Sequence, residues 1–175
     1  MGDLSKHFSA REFTCKCGKC YKSDVKPDLI TMLEKLHDLM GAHEIIVTSG
    51  YRCSEWSLAV GGYANDAHTK GIAADIKVSF CDDDGVVRYY NSELIAEAAE
   101  RVGFSGIGII DNTACHVDIR NENNYVNSHW FGNEITHNDN IETFQKGTKF
   151  VSRETTNTLE IMLNGKSIYK GEIKL

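Results

Sequence analysis

The chain has 175 residues, 41% of them hydrophobic and 25% charged, the balance of a single globular domain with a short appendage. Its 19 Lys and Arg against 25 Asp and Glu leave a net charge of −6. That balance argues against a duplex nucleic-acid binder, which needs clustered cations to neutralise phosphates, and no apolar run approaches the roughly 20 residues of a membrane-spanning helix.

The opening residues, Met1 to His7, lack the basic-then-apolar layout of a secretion signal. Work outside a cell would then need another route of release. Phe8 to Tyr21 is polar and rich in Cys and Gly, and is expected to be a loop with one turn. From Lys26 to Met40, apolar residues at 29, 32, 33, 36, 39 and 40 have the spacing of a one-faced helix. Pro27 at its start and Gly41 after its end fit that helix. Ile45 to Ser49 is β-branched and short, so a strand is expected.

Residues 50 to 70 carry Gly50, Gly61, Gly62 and Asn65-Asp66 and are expected to be mostly loop. Ile72 to Val78 has strand character, and Cys81 to Gly85 an acidic turn. Ser92 to Val102 predicts a second helix, capped by Ser92 and stopped by Gly103, with Leu94, Ile95, Ala98, Ala99 and Val102 on its apolar face. Two further strands are expected at Ile107 to Ile110 and Cys115 to Ile119. Asn121 to Asn140 turns polar, with scattered aromatics. Thr158 to Leu163 and Ser167 to Tyr169 flank Asn164-Gly165, a hairpin signal. The expected fold class is α+β: a small, mainly antiparallel sheet backed by helices, with a β-hairpin tail. Residues 1–121 would form the main domain, and 122–175 a β-rich extension packed on it.

Three stretches carry chemistry: Thr48 to Cys53, His68 to Asp75, and Cys115 to Arg120. They offer two histidines and a carboxylate from separate strand regions. Catalytic zinc takes three such donors at about 2.0–2.2 Å and keeps a fourth place for water. His68 is expected at a loop end. Asp75 would project from the next strand on the face of the small Ala73, with Ala74, Ile76 and Val78 turned to the core. His116, Asp118 and Arg120 share one face of their strand; Cys115, Val117 and Ile119 share the other. Arg52 adds a fixed cation for a substrate carboxylate or a developing oxyanion.

The ordered set Ser49-Gly50-Tyr51-Arg52, His68-x-x-Gly71-x-Ala73-x-Asp75 and His116-Val117-Asp118 resembles the zinc-dependent D-alanyl-D-alanine carboxypeptidase family. That family includes phage L-alanyl-D-glutamate endolysins and shares its fold with the Hedgehog signalling domain. His7-Phe8-Ser9-x-x-Glu12-Phe13-x-Cys15 and Val60-Gly61-Gly62 fit the same pattern, so the likeness runs over roughly residues 7 to 120. It implies that His68, Asp75 and His116 bind Zn2+ and that Arg52 steadies the substrate or the tetrahedral intermediate. In such enzymes the metal polarises the scissile carbonyl and activates water, with a carboxylate as general base.

Two departures stand out. Many members carry an acid three residues before the last ligand, where this chain has Thr113. Where a small hydroxyl often stands, two residues before the first ligand, it has Asp66. Asp118 is the substitute candidate for the base, with orientation of a zinc-binding His116 as its other role; Asp111 is a weaker substitute.

The expected function is a zinc metallopeptidase that hydrolyses bonds next to D-amino acids in peptidoglycan stem peptides. It would be a monomer that meets the extracytoplasmic wall after phage-type release, or that accumulates in the cytoplasm until lysis. The alternative is a non-catalytic zinc-binding module for wall adhesion or phage structure. Cys15, Cys17 and Cys20 suggest a zinc knuckle with His7 or Cys53 as fourth ligand, against free thiols or a disulfide. Cys115 beside His116 suggests a nucleophile pair, but strand neighbours face opposite ways, so a core thiol is expected. His129-Trp130-Phe131 and His137 would line the cleft or anchor the tail. Asp82 to Gly85 lacks the spacing of a calcium loop and is expected to be a solvated turn.

Overall fold

The computed structural model describes residues 2–120, 130–133, 158–163 and 166–172. A 3₁₀ turn at Ala10–Phe13 interrupts the N-terminal loop. The Glu12 carboxylate fastens it by accepting from the Ser9 backbone N–H at 2.7 Å. Helix α1 (Pro27–Met40) begins on its proline and ends at Gly41. It buries Leu29, Ile30, Leu33, Leu36 and Met40, while Met32 and Leu39 are only partly covered. Each such side chain taken from water contributes about 1.5–3 kcal/mol.

Strand β1 (Glu44–Ser49) follows, then α2 (Ser54–Ala59), β2 (Ala73–Cys81), β3 (Val87–Tyr89), α3 (Ser92–Val102), β4 (Gly106–Ile109) and β5 (Ala114–Asp118). Residues 50 to 70 are mostly loop, as expected, with the six residues of α2 set within them. Two turns of helix are too short for an apolar period to stand out in a Gly-rich stretch. Strand β3 also went unexpected, because all three of its residues are exposed and show no alternation. The cap of α3 is Asn91 rather than Ser92: its side-chain oxygen accepts from the Leu94 N–H at 2.9 Å. Ser92 is instead a buried first residue of the helix.

Among the described residues, the main sheet has six strands in the order β1-β2-β5-β4-β6, with β3 on the far end of β2. Strand β6 (Trp130–Asn133) joins β4 in parallel; every other pairing is antiparallel. Strands β7 (Thr158–Leu163) and β8 (Lys166–Glu172) pair antiparallel as the hairpin tail. The Asn164-Gly165 turn, His129 and His137 lie outside the described residues.

The core lies on one face of the sheet. Ala74, Ile76 and Val78 of β2 and Cys115 and Val117 of β5, with Ile119 just beyond, meet α1 and the Ile95, Ala98 and Ala99 side of α3. Cys115 is therefore the core thiol expected from strand geometry, and burial pushes its pKa up. The alternate residues, Asp75, His116 and Asp118, leave by the opposite face. Among the described residues, no helix is long and apolar enough to cross a membrane.

Candidate metal centre

Antiparallel pairing sets Asp75 directly across from His116, and Ala73 across from Asp118. His68 arrives from the loop before β2. Gly71 lets that loop turn back: its φ of +70° is left-handed, and a Cβ there would sit 1.7 Å from the Asp24 carbonyl oxygen. Asp66 anchors the same loop. Its carboxylate accepts from the Thr69 N–H at 2.9 Å and from the buried Ser57 hydroxyl, so the residue that departs from the family pattern has a structural task.

Three donor atoms converge. His68 Nε2 is 3.2 Å from His116 Nδ1 and 3.3 Å from Asp75 Oδ1, and His116 Nδ1 is 3.0 Å from Asp75 Oδ1. Ligands about 2.0–2.1 Å from a tetrahedral zinc lie about 3.3–3.4 Å apart, so the triangle fits that ion closely. Among the described residues, the group contributes three donors, as an open catalytic site does.

Each donor is braced from behind. His68 Nδ1–H donates to the Gly50 carbonyl at 2.8 Å, which fixes the tautomer with a lone pair on Nε2. His116 Nε2–H donates to Asp118 Oδ2 at 3.0 Å. Arg52 Nη2 donates to Asp75 Oδ2 at 2.5 Å, while its Nε donates to Ser49 Oγ at 2.9 Å. Asp118 is fully buried, and Arg120 holds it through its backbone N–H at 2.9 Å and its guanidinium. The Asp118 carboxylate lies against Gly106 of β4, where a Cβ would come 2.0 Å from Oδ2; glycine makes the room. Asp118 thus touches His116 on the ring edge away from the donor triangle.

The other expected candidates lie elsewhere or are tied up. Asp111 Oδ1 accepts from the Thr113 and Ala114 backbone N–H groups at 2.7 Å each, pinning the turn before β5. Asp82 accepts from the backbone of Asp84 and Val86, and its other oxygen meets Arg88 at 2.5 Å, as a solvated turn does. His7 pairs with Glu34 at 2.6 Å and stacks on His37 at 3.7 Å, away from the cysteines. Composition and spacing could not flag the Gly50 carbonyl, because a backbone acceptor leaves no trace in residue identity.

A protein-family model described as Peptidase M15 matches residues 6–118, a span that contains all three donors and Arg52. The chain belongs to the M15 peptidase family. No curated protein matches it. As an M15 peptidase it is a hydrolase of the metallopeptidase kind, in a family whose members typically use zinc. This is the family of zinc D-alanyl-D-alanine carboxypeptidases that the motifs resemble.

Charge at the M15 site follows from these contacts. Burial favours neutral Asp75, but its contacts with His116 and His68 outweigh it and hold the carboxyl well below its usual range. Burial likewise disfavours a charged His116, yet its bonds to Asp118 and Asp75 raise its pKa to about 9. Below that pH the ring holds a proton on the nitrogen that must face a metal. Metal binding near neutrality is then expected to release about one proton from His116, and apparent affinity should rise about tenfold per pH unit until it levels off near pH 9. Competition with a chromophoric chelator measures this, and affinity that stays flat from neutral to alkaline pH contradicts it.

Proposed function

We propose that this M15 peptidase is a zinc enzyme that hydrolyses a bond next to a D-amino acid in peptidoglycan stem peptides, as a carboxypeptidase or an endolysin-type endopeptidase. The observation that carries the proposal is the triangle of His68 Nε2, Asp75 Oδ1 and His116 Nδ1 at 3.0–3.3 Å, with the far side of each ligand already engaged. Zinc held there would act as a Lewis acid on the scissile carbonyl and lower the pKa of the attacking water.

The chain's own groups do the positioning. Gly50 and Asp118 keep two imidazoles aimed at one point, and Arg52 keeps Asp75 turned with them. Two of the five N–H groups of Arg52 serve Ser49 and Asp75; we give the remainder the task of meeting a substrate carboxylate or a developing oxyanion. Of the two roles open to Asp118, its place on the far edge of His116 supports orientation over proton transfer. The wall outside the membrane is the proposed place of action, reached by phage-type release.

The test is digestion of a defined stem peptide with and without chelator, read by mass spectrometry. Metal-dependent release of a fragment ending or beginning at a D-residue is expected. Thr113, in the place of the family's acid, favours a second possibility: a module that holds zinc without turnover. Tight zinc binding with every stem peptide left whole would establish that second reading and sink the first.

A further inference from the structure

Four cysteines gather away from the His/Asp/His triangle. The Sγ atoms of Cys15, Cys17, Cys20 and Cys53 all lie within 4.8 Å of one another, and Cys17 and Cys20 are 3.4 Å apart. None of them is in a disulfide. Tetrahedral zinc with bonds of about 2.3 Å to sulfur sets its ligands about 3.8 Å apart, a spacing this cluster brackets. Three of the sulfurs come from one short loop in a Cys-x-Cys-x-x-Cys pattern. The left-handed turn at Gly18, with φ of +71°, folds that loop on itself. The fourth comes from the residue that precedes α2.

Backbone amides point at the sulfurs. The N–H groups of Lys19 and Cys20 both donate to Cys17 Sγ at 3.3 Å, and the Cys53 N–H donates to Cys15 Sγ at 3.3 Å. Such contacts favour thiolate over thiol, the form a metal needs.

We propose that Cys15, Cys17, Cys20 and Cys53 form a second, structural zinc centre. Four protein donors close it, so it has no position for substrate or water. It ties the N-terminal loop to the segment that carries Arg52, one residue before Cys53. Further contacts run the same way: Tyr51 N–H donates to the Phe13 carbonyl at 2.9 Å, and Lys16 Nζ to the Thr48 carbonyl. The clamp therefore stiffens the stretch from which Arg52 reaches Asp75 and the Gly50 carbonyl holds His68. This centre is independent of the peptidase proposal and does not stand or fall with it.

The test uses the full chain purified in reductant without chelator. Elemental analysis is expected to find about two zinc ions per chain. Cys17→Ser/Cys20→Ser should keep only the ion at the histidines, and His68→Ala/His116→Ala only the ion at the cysteines. Cobalt in place of zinc should give thiolate charge-transfer absorption in the parent and in the histidine variant, which covers the case where the cysteine variant does not fold. The proposal is overturned if cobalt gives no such band, if the cysteine variant holds as much zinc as the parent, or if intact mass shows these cysteines paired in disulfides.

Discussion

Replacing His68 or His116 with Ala is expected to lower the rate of peptide hydrolysis about a thousandfold and to remove the metal from this site while leaving the fold intact. The magnitude follows from what is lost: Lewis-acid stabilisation of a developing charge is worth several kcal/mol, and about 4 kcal/mol is a factor of about 10³ in rate. The fold should survive because both rings lie on the sheet face opposite the apolar core, and His68 is in a loop. Asp75→Ala should match them in rate but also lower thermal stability, since it strips Arg52 of its 2.5 Å partner. Zinc content, circular dichroism and turnover measured on the same samples decide the matter. Full activity in any of the three would remove that side chain from the metal site.

Asp118→Asn is expected to act through the metal rather than through the chemical step. The carboxylate is fully buried between His116 and Arg120, whereas the amide is neutral and its NH2 would face a donor where the second carboxylate oxygen now accepts. Loss of a buried charge partner costs about 3–5 kcal/mol of stability. Loss of the group that orients a ligating histidine weakens metal binding about 10–100-fold. At saturating zinc, kcat should then return to within about tenfold of the parent. A base would behave differently: zinc affinity would hold while kcat fell about 10²–10⁴-fold. Gly106→Ala offers an independent approach, because its Cβ would displace the same carboxylate without removing it. It should weaken zinc binding in the same direction.

Much of this site was legible in the sequence, and the reasons are physical. Strand alternation in Ala73 to Val78 and Cys115 to Ile119 placed Asp75, His116 and Asp118 on one face and the apolar residues on the other, because a side-chain period of two leaves no freedom. The apolar spacing and end signals of α1 gave its bounds. Other features had no such signal. Helix α2 is too short to show a period, and β3 buries nothing. Asn91 and Ser92 are both good caps, and only the backbone angles separate them. Sequence alone left His7 and Cys53 equally open as fourth partner of the cysteine loop; the fold sends His7 to Glu34 and brings Cys53 alongside. The pairing of Arg52 with Asp75 joins residues 23 apart, and no local pattern encodes it.

The split between the two faces of β2 and β5 governs how this protein tolerates change. Point replacements can reach the hydrolytic side or the packing side separately, because the two sides draw on different residues of the same strands. A single-residue insertion or deletion within either strand spares neither. It would swing histidine and carboxylate inward and turn isoleucine and valine toward solvent in one step, so length, more than identity, is the property these two strands are least free to vary.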